Sequence, residues 1–192
     1  MTDKFPLHDL NTAPAAARED LAAVEKSFGM ITNLERIMAS SPALLKGHNL
    51  LWDLFAQTTL TPIERQVVYQ TANFENECDY CVPWHTQLSE QAGMAAVDVA
   101  ALREGQPLSN AKLEALRTFT RLMIHNRGKI SQADLDSFFA AGYTPVSALE
   151  VVLGLAIKVM TNYTNSIAGT PLDACVRRYG WHKPRIAMRQ TG

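Results

Sequence analysis

The sequence predicts an all-α fold, and three observations indicate it. Prolines stand where helices would begin and glycines where they would end, which is the order that helical segments favour. Apolar residues recur at helical spacing between these marks. No alternating run of β-branched residues bounded by a hairpin turn occurs in the sequence.

A single domain is predicted for residues 1–192. The chain has 192 residues, of which 47% are hydrophobic, and a chain of this size buries a core without disulfides or structural metal. No Gly/Ser-rich or Pro-rich linker divides it. We therefore expect one helical bundle.

The ends of the helices are predicted from caps and breakers. Four hydroxyl residues stand directly before a proline, as an N-cap stands before a first-turn proline: Ser41-Pro42, Thr61-Pro62, Thr144-Pro145 and Thr170-Pro171. Six glycines follow periodic segments, where a left-handed C-terminal residue is favoured: Gly29, Gly105, Gly128, Gly142, Gly169 and Gly180. The predicted helices span residues 14–28, 32–39, 42–57, 62–75, 80–92, 95–104, 110–126, 132–141, 145–167 and 171–178.

The longest predicted helix, residues 145–167, is apolar on nearly all sides. Such a helix is usually a central core helix, and it can also contribute to a subunit interface, so both interpretations stay open. Its apolar stretch, residues 146–160, contains Glu150 and Lys158 and is too short to span a bilayer. No membrane partner is therefore expected.

Charge and the N-terminal sequence exclude several classes of partner. The 18 Lys and Arg residues and 19 Asp and Glu residues give a net charge of −1, which provides no basic surface for nucleic acid. The first residues lack an apolar segment with a cleavage site, so no secretory signal is predicted and a cytoplasmic location is expected. In a reducing compartment, three cysteines are more often catalytic, redox-active or metal-binding than structural.

One motif carries chemistry. Cys78 and Cys81 form a C-x-x-C pair, and His85 follows one helical turn later. At about 100° per residue, an α-helix places these three side chains on one face. Residues three apart on a helix also lie within the Cα separation that a disulfide tolerates, so the two cysteines can bond without backbone rearrangement.

Pro83 indicates where this helix begins. A proline deep in a helix would cost about 3 kcal/mol, so Pro83 belongs in the first turn, which places Cys81 there too. Unpaired amides and the helix dipole at that end favour a thiolate. Cys81 is thus the predicted nucleophile, Cys78 the resolving thiol, and His85 the base or acid beside them.

Three other interpretations of the motif remain open. The two cysteines and His85 could be half of a zinc site, with only the distant Cys175 available as a further thiolate. The cysteines could instead be small buried hydrophobes beside a structural histidine. His85 could also transfer protons on a small carboxylic acid without needing the thiols. No metal is predicted.

At these residues the sequence resembles the AhpD-like group of the carboxymuconolactone decarboxylase family. The resemblance covers residues 60–93 and rests on two stretches: Thr61-Pro-Ile-Glu-Arg-Gln and Asn73-Phe-Glu-Asn-Glu-Cys-Asp-Tyr-Cys-Val-Pro-Trp-His-Thr. It implies an all-helical homo-oligomer, a trimer or hexamer, whose thiol pair reduces hydroperoxides. The expected partners are an external dithiol as reductant or a peroxiredoxin that the thiol pair serves. It also implies that no cofactor is bound, that Cys81 is peroxidatic, that Cys78 is resolving and that His85 relays protons.

Two positions differ from the family's pattern. AhpD-type proteins carry a glutamate twelve residues before the first motif cysteine, and here that position is Gln66, which cannot take a proton. Nearby Glu64 has another predicted role, since residues 61–64 form a capping-box sequence. Tyr80 stands between the cysteines, where its phenol could donate a hydrogen bond near the thiols or pack. Trp84 could shield the thiols from water or be an ordinary core or interface residue.

The favoured hypothesis is a thiol peroxidase that cycles between a dithiol and a disulfide. A disulfide reductase that serves a peroxiredoxin is closely related. The second hypothesis is a lyase of the carboxymuconolactone decarboxylase type that uses His85 for proton transfer, and the third is a non-catalytic redox sensor.

Overall fold

The structure is a computed structural model that describes residues 4–184. It is all-α over that range, as predicted. Nine α-helices occupy the described residues: α1 (Arg18–Phe28), α2 (Asn33–Met38), α3 (Pro42–Ala56), α4 (Pro62–Glu75), α5 (Cys81–Gln91), α6 (Ala96–Glu104), α7 (Ala111–His125), α8 (Gln132–Ala140) and α9 (Pro145–Ala168). A 3₁₀ segment, Ala15–Ala17, precedes α1, and another, Ala174–Tyr179, follows α9.

The predicted helix bounds agree closely with the structure. For α2 to α9, each predicted end lies within one residue of the observed end. The first predicted helix, residues 14–28, is a 3₁₀ turn that continues into α1. Caps and breakers therefore determine where most helices of this chain begin and end.

The predicted helix at residues 171–178 is wrong in type and in its start. A 3₁₀ segment begins there only after Asp173. The Asp173 carboxylate accepts hydrogen bonds from Tyr80 and Trp84 of the α5 region, and these contacts hold the preceding residues outside a helix. Gly180, at φ −39°, is not left-handed, so its predicted role is also wrong. The five other predicted glycines have positive φ.

The predicted N-caps are confirmed at α4 and α9. The Thr61 hydroxyl accepts from the Glu64 amide at 3.2 Å, and the Glu64 carboxylate accepts from the Thr61 amide at 2.8 Å. This is the predicted capping box. Thr144 caps α9 in the same manner. Although α3 begins at its proline as predicted, the Ser41 side chain makes no capping hydrogen bond.

The centre of the bundle is α4. It packs against α5, α6, α7 and α9, and residues 67–74 along it are all buried. A helix buried over two full turns is held on several sides at once, so α4 fixes the positions of α5 and α9 relative to each other. Those two helices carry the side chains of the candidate site.

The two sides of α9 have different characters. At 24 residues, this helix is long and apolar enough to cross a membrane by length and composition alone, unlike the shorter stretch considered from the sequence. It packs against α2, α3 and α4 and buries Lys158, Asn162 and Asn165 on its inner side. We call its other side the α9 outer face, which exposes six large side chains: Val146, Leu149, Val152, Val159, Tyr163 and Ile167. The core interpretation is therefore confirmed for the inner side of the helix, and the interface interpretation stays a prediction for the α9 outer face.

Candidate active site

The two thiols lie at the turn between α4 and α5. Cys78 is in the turn, Tyr80 is the N-cap and Cys81 is the first residue of α5. The Cys81 amide donates a hydrogen bond to the Cys78 sulfur, with 3.2 Å between the two atoms. Pro83 is the third residue of α5, where its missing amide proton costs no helical hydrogen bond. Both cysteines are reduced.

Cys81 is the sulfur that faces a cavity. Only 5% of Cys78 and 3% of Cys81 is exposed. Cys81 lines a cavity of about 130 Å³ that is bounded by α1, α2, α3, α5 and α9. His85 and Lys158 line the same cavity. The structure thus brings the predicted nucleophile and the predicted histidine to one cavity.

The two thiols differ in acidity. Burial raises the pKa of Cys81, but the hydrogen bond from the Cys78 thiol, the charge of Lys158 and two amide hydrogen bonds outweigh it and lower the pKa from 9.0 to about 6. The pKa of Cys78 is raised, because its thiol donates a hydrogen bond to the Cys81 sulfur and is itself buried. Near neutral pH, the pair therefore shares one proton, and Cys81 is the thiolate.

The acidity of Cys81 has a different source from the predicted one. The Cys81 amide at the start of α5 points to Cys78 and so does not stabilise its own thiolate. Three residues of α9 act instead: Lys158, Asn162 and Asn165. They are four and three positions apart, which places them on one face of the helix. The Asn165 amide donates to the Cys81 sulfur at 3.2 Å.

Both ring nitrogens of His85 have partners. The Lys158 Nζ lies 3.0 Å from Nε2, and the Gln66 Oε1 lies 2.8 Å from Nδ1. An ammonium only donates, so Nε2 accepts and Nδ1 carries the proton that Gln66 receives. Burial and the charges of Lys158 and His48 lower the pKa of His85 well below its usual value. His85 is therefore a neutral imidazole of defined tautomer.

Gln66 occupies the position expected from the family's pattern. It lies on α4 and meets His85 across the α4–α5 contact. The carboxamide oxygen makes the hydrogen bond that a glutamate would make there, although it cannot take up a proton. Glutamine in place of glutamate at position 66 therefore preserves the orientation of His85 while removing one titratable group.

Tyr80 and Trp84 bind Asp173 through their polar atoms. The Tyr80 hydroxyl donates to the Asp173 carboxylate, and the Trp84 indole N–H donates to it at 3.0 Å. No hydrogen bond joins Tyr80 to either thiol among the described residues. Both rings line the cavity, which is the position expected for Trp84 as a shield.

A buried carboxyl that no sequence pattern indicated also lines the cavity. Glu35 of α2 is 6% exposed and accepts a hydrogen bond from Thr32. Burial raises the pKa of Glu35 to about 7, against the opposing effect of the Thr32 hydrogen bond. Lys158 and Asp173 were missed as well. Only Lys158 had a signal in the sequence, as a lone lysine within a long apolar helix.

A metal site is not formed by the described residues. Within residues 4–184, no group of three or more His, Cys, Asp or Glu side chains is arranged to hold an ion. Cys175, the further ligand considered for a zinc site, is exposed, and its sulfur lies 3.8 Å from the sulfur of Met30.

These features define an AhpD-like helical protein with a buried dithiol beside a histidine–lysine pair. Residues 48–120 match the model of the Carboxymuconolactone decarboxylase family, a segment that includes the C-x-x-C pair, His85 and Gln66. The segment that holds the candidate site thus matches this family's model, and the resemblance drawn from the motif is confirmed. The family indicates an enzyme related to peroxidases or decarboxylases.

Several solved structures share the fold. The alkylhydroperoxidase AhpD core, a peroxidase-related protein from Ralstonia eutropha JMP134, has a TM-score of 0.79 at 16% identity, over 90% of this chain and 93% of that one. A peroxidase-related protein from Silicibacter sp. TM1040 has a TM-score of 0.73 at 18% identity, over 90% and 91%. A cysteine-to-alanine variant of the debrominase Bmp8 in complex with 2,3,4-tribromopyrrole has a TM-score of 0.74 at 16% identity, over 91% and 93%.

At these identities, the likeness to solved structures establishes the fold and no more. A comparison with curated proteins gave no match.

Proposed function

We propose that the chain is a thiol-dependent peroxidase that reduces hydroperoxides through Cys81 and Cys78. The observation that carries the proposal is the environment of the Cys81 sulfur. It faces the cavity, accepts a hydrogen bond from Asn165 and, despite its burial, has a pKa of about 6. A thiolate that a small molecule can reach is the nucleophile that this chemistry requires.

The reaction begins when the Cys81 thiolate attacks the terminal oxygen of the hydroperoxide. The O–O bond breaks, Cys81 becomes a sulfenic acid, and the departing alkoxide takes up a proton and leaves as an alcohol. The Cys78 sulfur then displaces the hydroxyl group from Cys81, which gives a disulfide and water. An external dithiol reduces this disulfide and is itself oxidised to a disulfide.

Lys158 is placed to give the departing alkoxide its proton. Its ammonium lines the cavity and is held by His85 Nε2 at 3.0 Å. His85 is a poor direct acid, since Nε2 has no proton and the Nδ1 proton is bound by Gln66. In this mechanism His85 positions Lys158, and Gln66 fixes the tautomer of His85. Orientation of the relay therefore does not depend on a glutamate at position 66.

The reductant is an external dithiol; in the related disulfide reductase role, the disulfide of a partner peroxiredoxin would be a substrate that the reduced Cys78–Cys81 pair reduces. Both sulfurs are nearly enclosed, so a small dithiol would reach Cys81 through the cavity that this residue lines. Turnover requires that the thiols be restored, and the cytoplasm is a compartment that keeps thiols reduced. We therefore propose a cytoplasmic location for the protein.

We also propose that the chain forms a homo-oligomer, a trimer or hexamer, through the α9 outer face. Six large apolar or aromatic side chains are exposed along this one helix, and a contiguous exposed apolar surface is typical of an interaction site. The opposite side of α9 carries Lys158 and Asn165 into the active site. Oligomerisation would thus stabilise the position of α9, the helix whose residues lower the pKa of Cys81.

Thiol counting tests the peroxidase proposal. The wild type and Cys81→Ser are each treated with a stoichiometric organic hydroperoxide, and free thiols are counted before and after. We expect the wild type to lose Cys78 and Cys81 together and Cys81→Ser to keep its thiols. A Cys175→Ser variant should behave as the wild type does. Retention of all thiols by the wild type would remove the proposal.

The family match supports a second candidate, a lyase that moves protons on a small carboxylic acid. The His85–Lys158 pair in the cavity could perform that transfer without a resolving thiol. Such activity would survive Cys78→Ser. Peroxidase turnover would not, because it needs the second sulfur.

A further inference from the structure

The cavity beside Cys81 has walls that hydroperoxide chemistry alone does not need. Its volume is about 130 Å³ and it opens to solvent on one side. Since an apolar protein cavity of about 150 Å³ holds one benzene molecule, this one accommodates about one aromatic ring, with the rest of a larger ligand extending into the opening. Aromatic side chains from three helices line it: Phe28 of α1, Trp52 of α3 and Trp84 of α5. Hydrogen peroxide, the smallest hydroperoxide, would leave most of this space unfilled.

The aromatic wall is held in place before any ligand arrives. Trp52 stacks on Tyr69, with ring centroids 5.3 Å apart and planes 5° from parallel. Phe28 meets Trp52 at 6.1 Å with planes tilted by 54°, and Trp84 is fixed by its hydrogen bond to Asp173. Preformed rings of this kind favour edge or face contact with another ring.

The charges around the cavity disfavour an anionic ligand. Among its described lining residues, Lys158 is the single Lys or Arg, and it is already hydrogen-bonded to His85 and close to the Cys81 thiolate. Two carboxyl side chains, Glu35 and Asp53, also line the space. A carboxylate-bearing substrate would therefore meet the thiolate and these groups without a free cation to bind it.

From the size, rings and charges of this cavity we infer that the preferred substrate is an uncharged organic hydroperoxide with one aromatic ring. The ring lies against Phe28 and Trp52, and the O–O bond reaches Cys81. This inference rests on the proposed peroxidase function. The alcohol that leaves has nearly the same size and no charge, so it binds in the same place.

A pair of adjacent alanines on α1 provides a matched test. Ala23 lines the cavity and is exposed at its mouth, whereas Ala22 is exposed but does not line it. Ala23→Phe would narrow the mouth without removing a packed side chain. Ala22→Phe adds the same side chain one residue away and serves as the control.

The first measurement is the rate of thiol loss with cumene hydroperoxide, its ring-carboxylated derivative and hydrogen peroxide. We expect cumene hydroperoxide to react at least about tenfold faster than either of the other two. Ala23→Phe should slow the reaction with cumene hydroperoxide by at least about fivefold and leave hydrogen peroxide nearly unaffected, while Ala22→Phe changes neither. Equal rates for the three oxidants, or equal slowing of all by Ala23→Phe, would overturn the inference.

The second measurement is binding of 2-phenyl-2-propanol, the alcohol formed from cumene hydroperoxide, followed by tryptophan fluorescence. We expect saturable binding to the wild type and to Ala22→Phe, and weaker binding to Ala23→Phe. Absence of saturable binding would overturn the inference. Because binding needs no thiol chemistry, a protein that binds this alcohol but keeps its thiols with every hydroperoxide would refute the peroxidase proposal and not the aromatic site.

Discussion

Lys158 of α9 donates a hydrogen bond to His85 of α5 across 3.0 Å, although the two residues are 73 positions apart and both are almost fully buried. A buried ammonium needs a compensating partner, and here it has a neutral imidazole and a nearby thiolate. The same ammonium of Lys158 thus lowers the pKa of Cys81 and, in the proposed reaction, gives its proton to the departing alkoxide.

Replacing Lys158 with methionine should raise the pKa of Cys81. The variant removes the positive charge that helps to lower that pKa from 9.0 to about 6, while a side chain of similar length remains. The check is the rate of alkylation by iodoacetamide as a function of pH. We expect the midpoint to move upward in Lys158→Met and to stay in place in Lys46→Met, which alters an exposed lysine of α3.

The stability of the protein should depend on the ionisation of Cys81. Its pKa is lower in the folded chain, about 6, than the ordinary value of 9.0, so the unfolded chain binds more protons between these values. The free energy of unfolding that Cys81 contributes should therefore rise from pH 6 to pH 9 and be lost as the pH falls through 6. Urea denaturation of the wild type and Cys81→Ser measures it. A difference between the two proteins that does not change with pH would contradict this assignment.

Glu35 should produce the opposite trend. Its pKa is raised from 4.5 to about 7 in the folded chain, so the folded chain holds the proton while the unfolded chain releases it. Between these values, the wild type should lose stability relative to Glu35→Gln as the pH rises, with no further change above about 7. The same denaturation series tests this, and Glu19→Gln, at an exposed position of α1, is the control.

Asn165→Leu should destabilise the thiolate form of Cys81 without unfolding the chain. The amide donates to the Cys81 sulfur at 3.2 Å, and hydrogen bonds to charged groups contribute about 1.5–3 kcal/mol. The buried Asn165 Oδ1 has no hydrogen-bond partner, so its removal relieves a cost at the same time. We expect slower alkylation of Cys81 near neutral pH and little change in the urea midpoint. Tyr163→Leu, on the α9 outer face, should leave alkylation unchanged.

A charge on the α9 outer face should dissociate the oligomer. Leu149 is 72% exposed along this helix, and a buried glutamate without a partner at that position would be costly in an interface. Light scattering of Leu149→Glu should give the mass of a monomer with a normal circular dichroism spectrum. Val97→Glu, at a site on α6 that is 62% exposed, should leave the mass of the wild type. A monomeric wild type would contradict the proposed interface.

The sequence predicts the helices that carry this site better than it predicts the side chains that set its chemistry. Thr61, Glu64 and Pro83 act on their own helices, so short stretches of sequence suffice to place α4 and α5. The meeting of Gln66 with His85 was expected only through the resemblance to a family. Local rules fail at Thr170, because distant contacts of Asp173 determine the structure there.

The groups that set the acidity of Cys81 could not be predicted from its neighbours in sequence. The helix N-terminus was the expected cause, whereas Lys158 and Asn165 come from a helix that begins more than sixty residues later. Their effect depends on how α9 packs against α4 and α5. A lysine within an apolar helix was visible in the sequence, but its partner His85 was not.

The most direct test of the dithiol cycle is peptide mapping by mass spectrometry after treatment with one equivalent of cumene hydroperoxide. We predict a single new disulfide between Cys78 and Cys81, with Cys175 still a free thiol. Recovery of Cys78 and Cys81 as unmodified thiols, or a disulfide that includes Cys175, would contradict it.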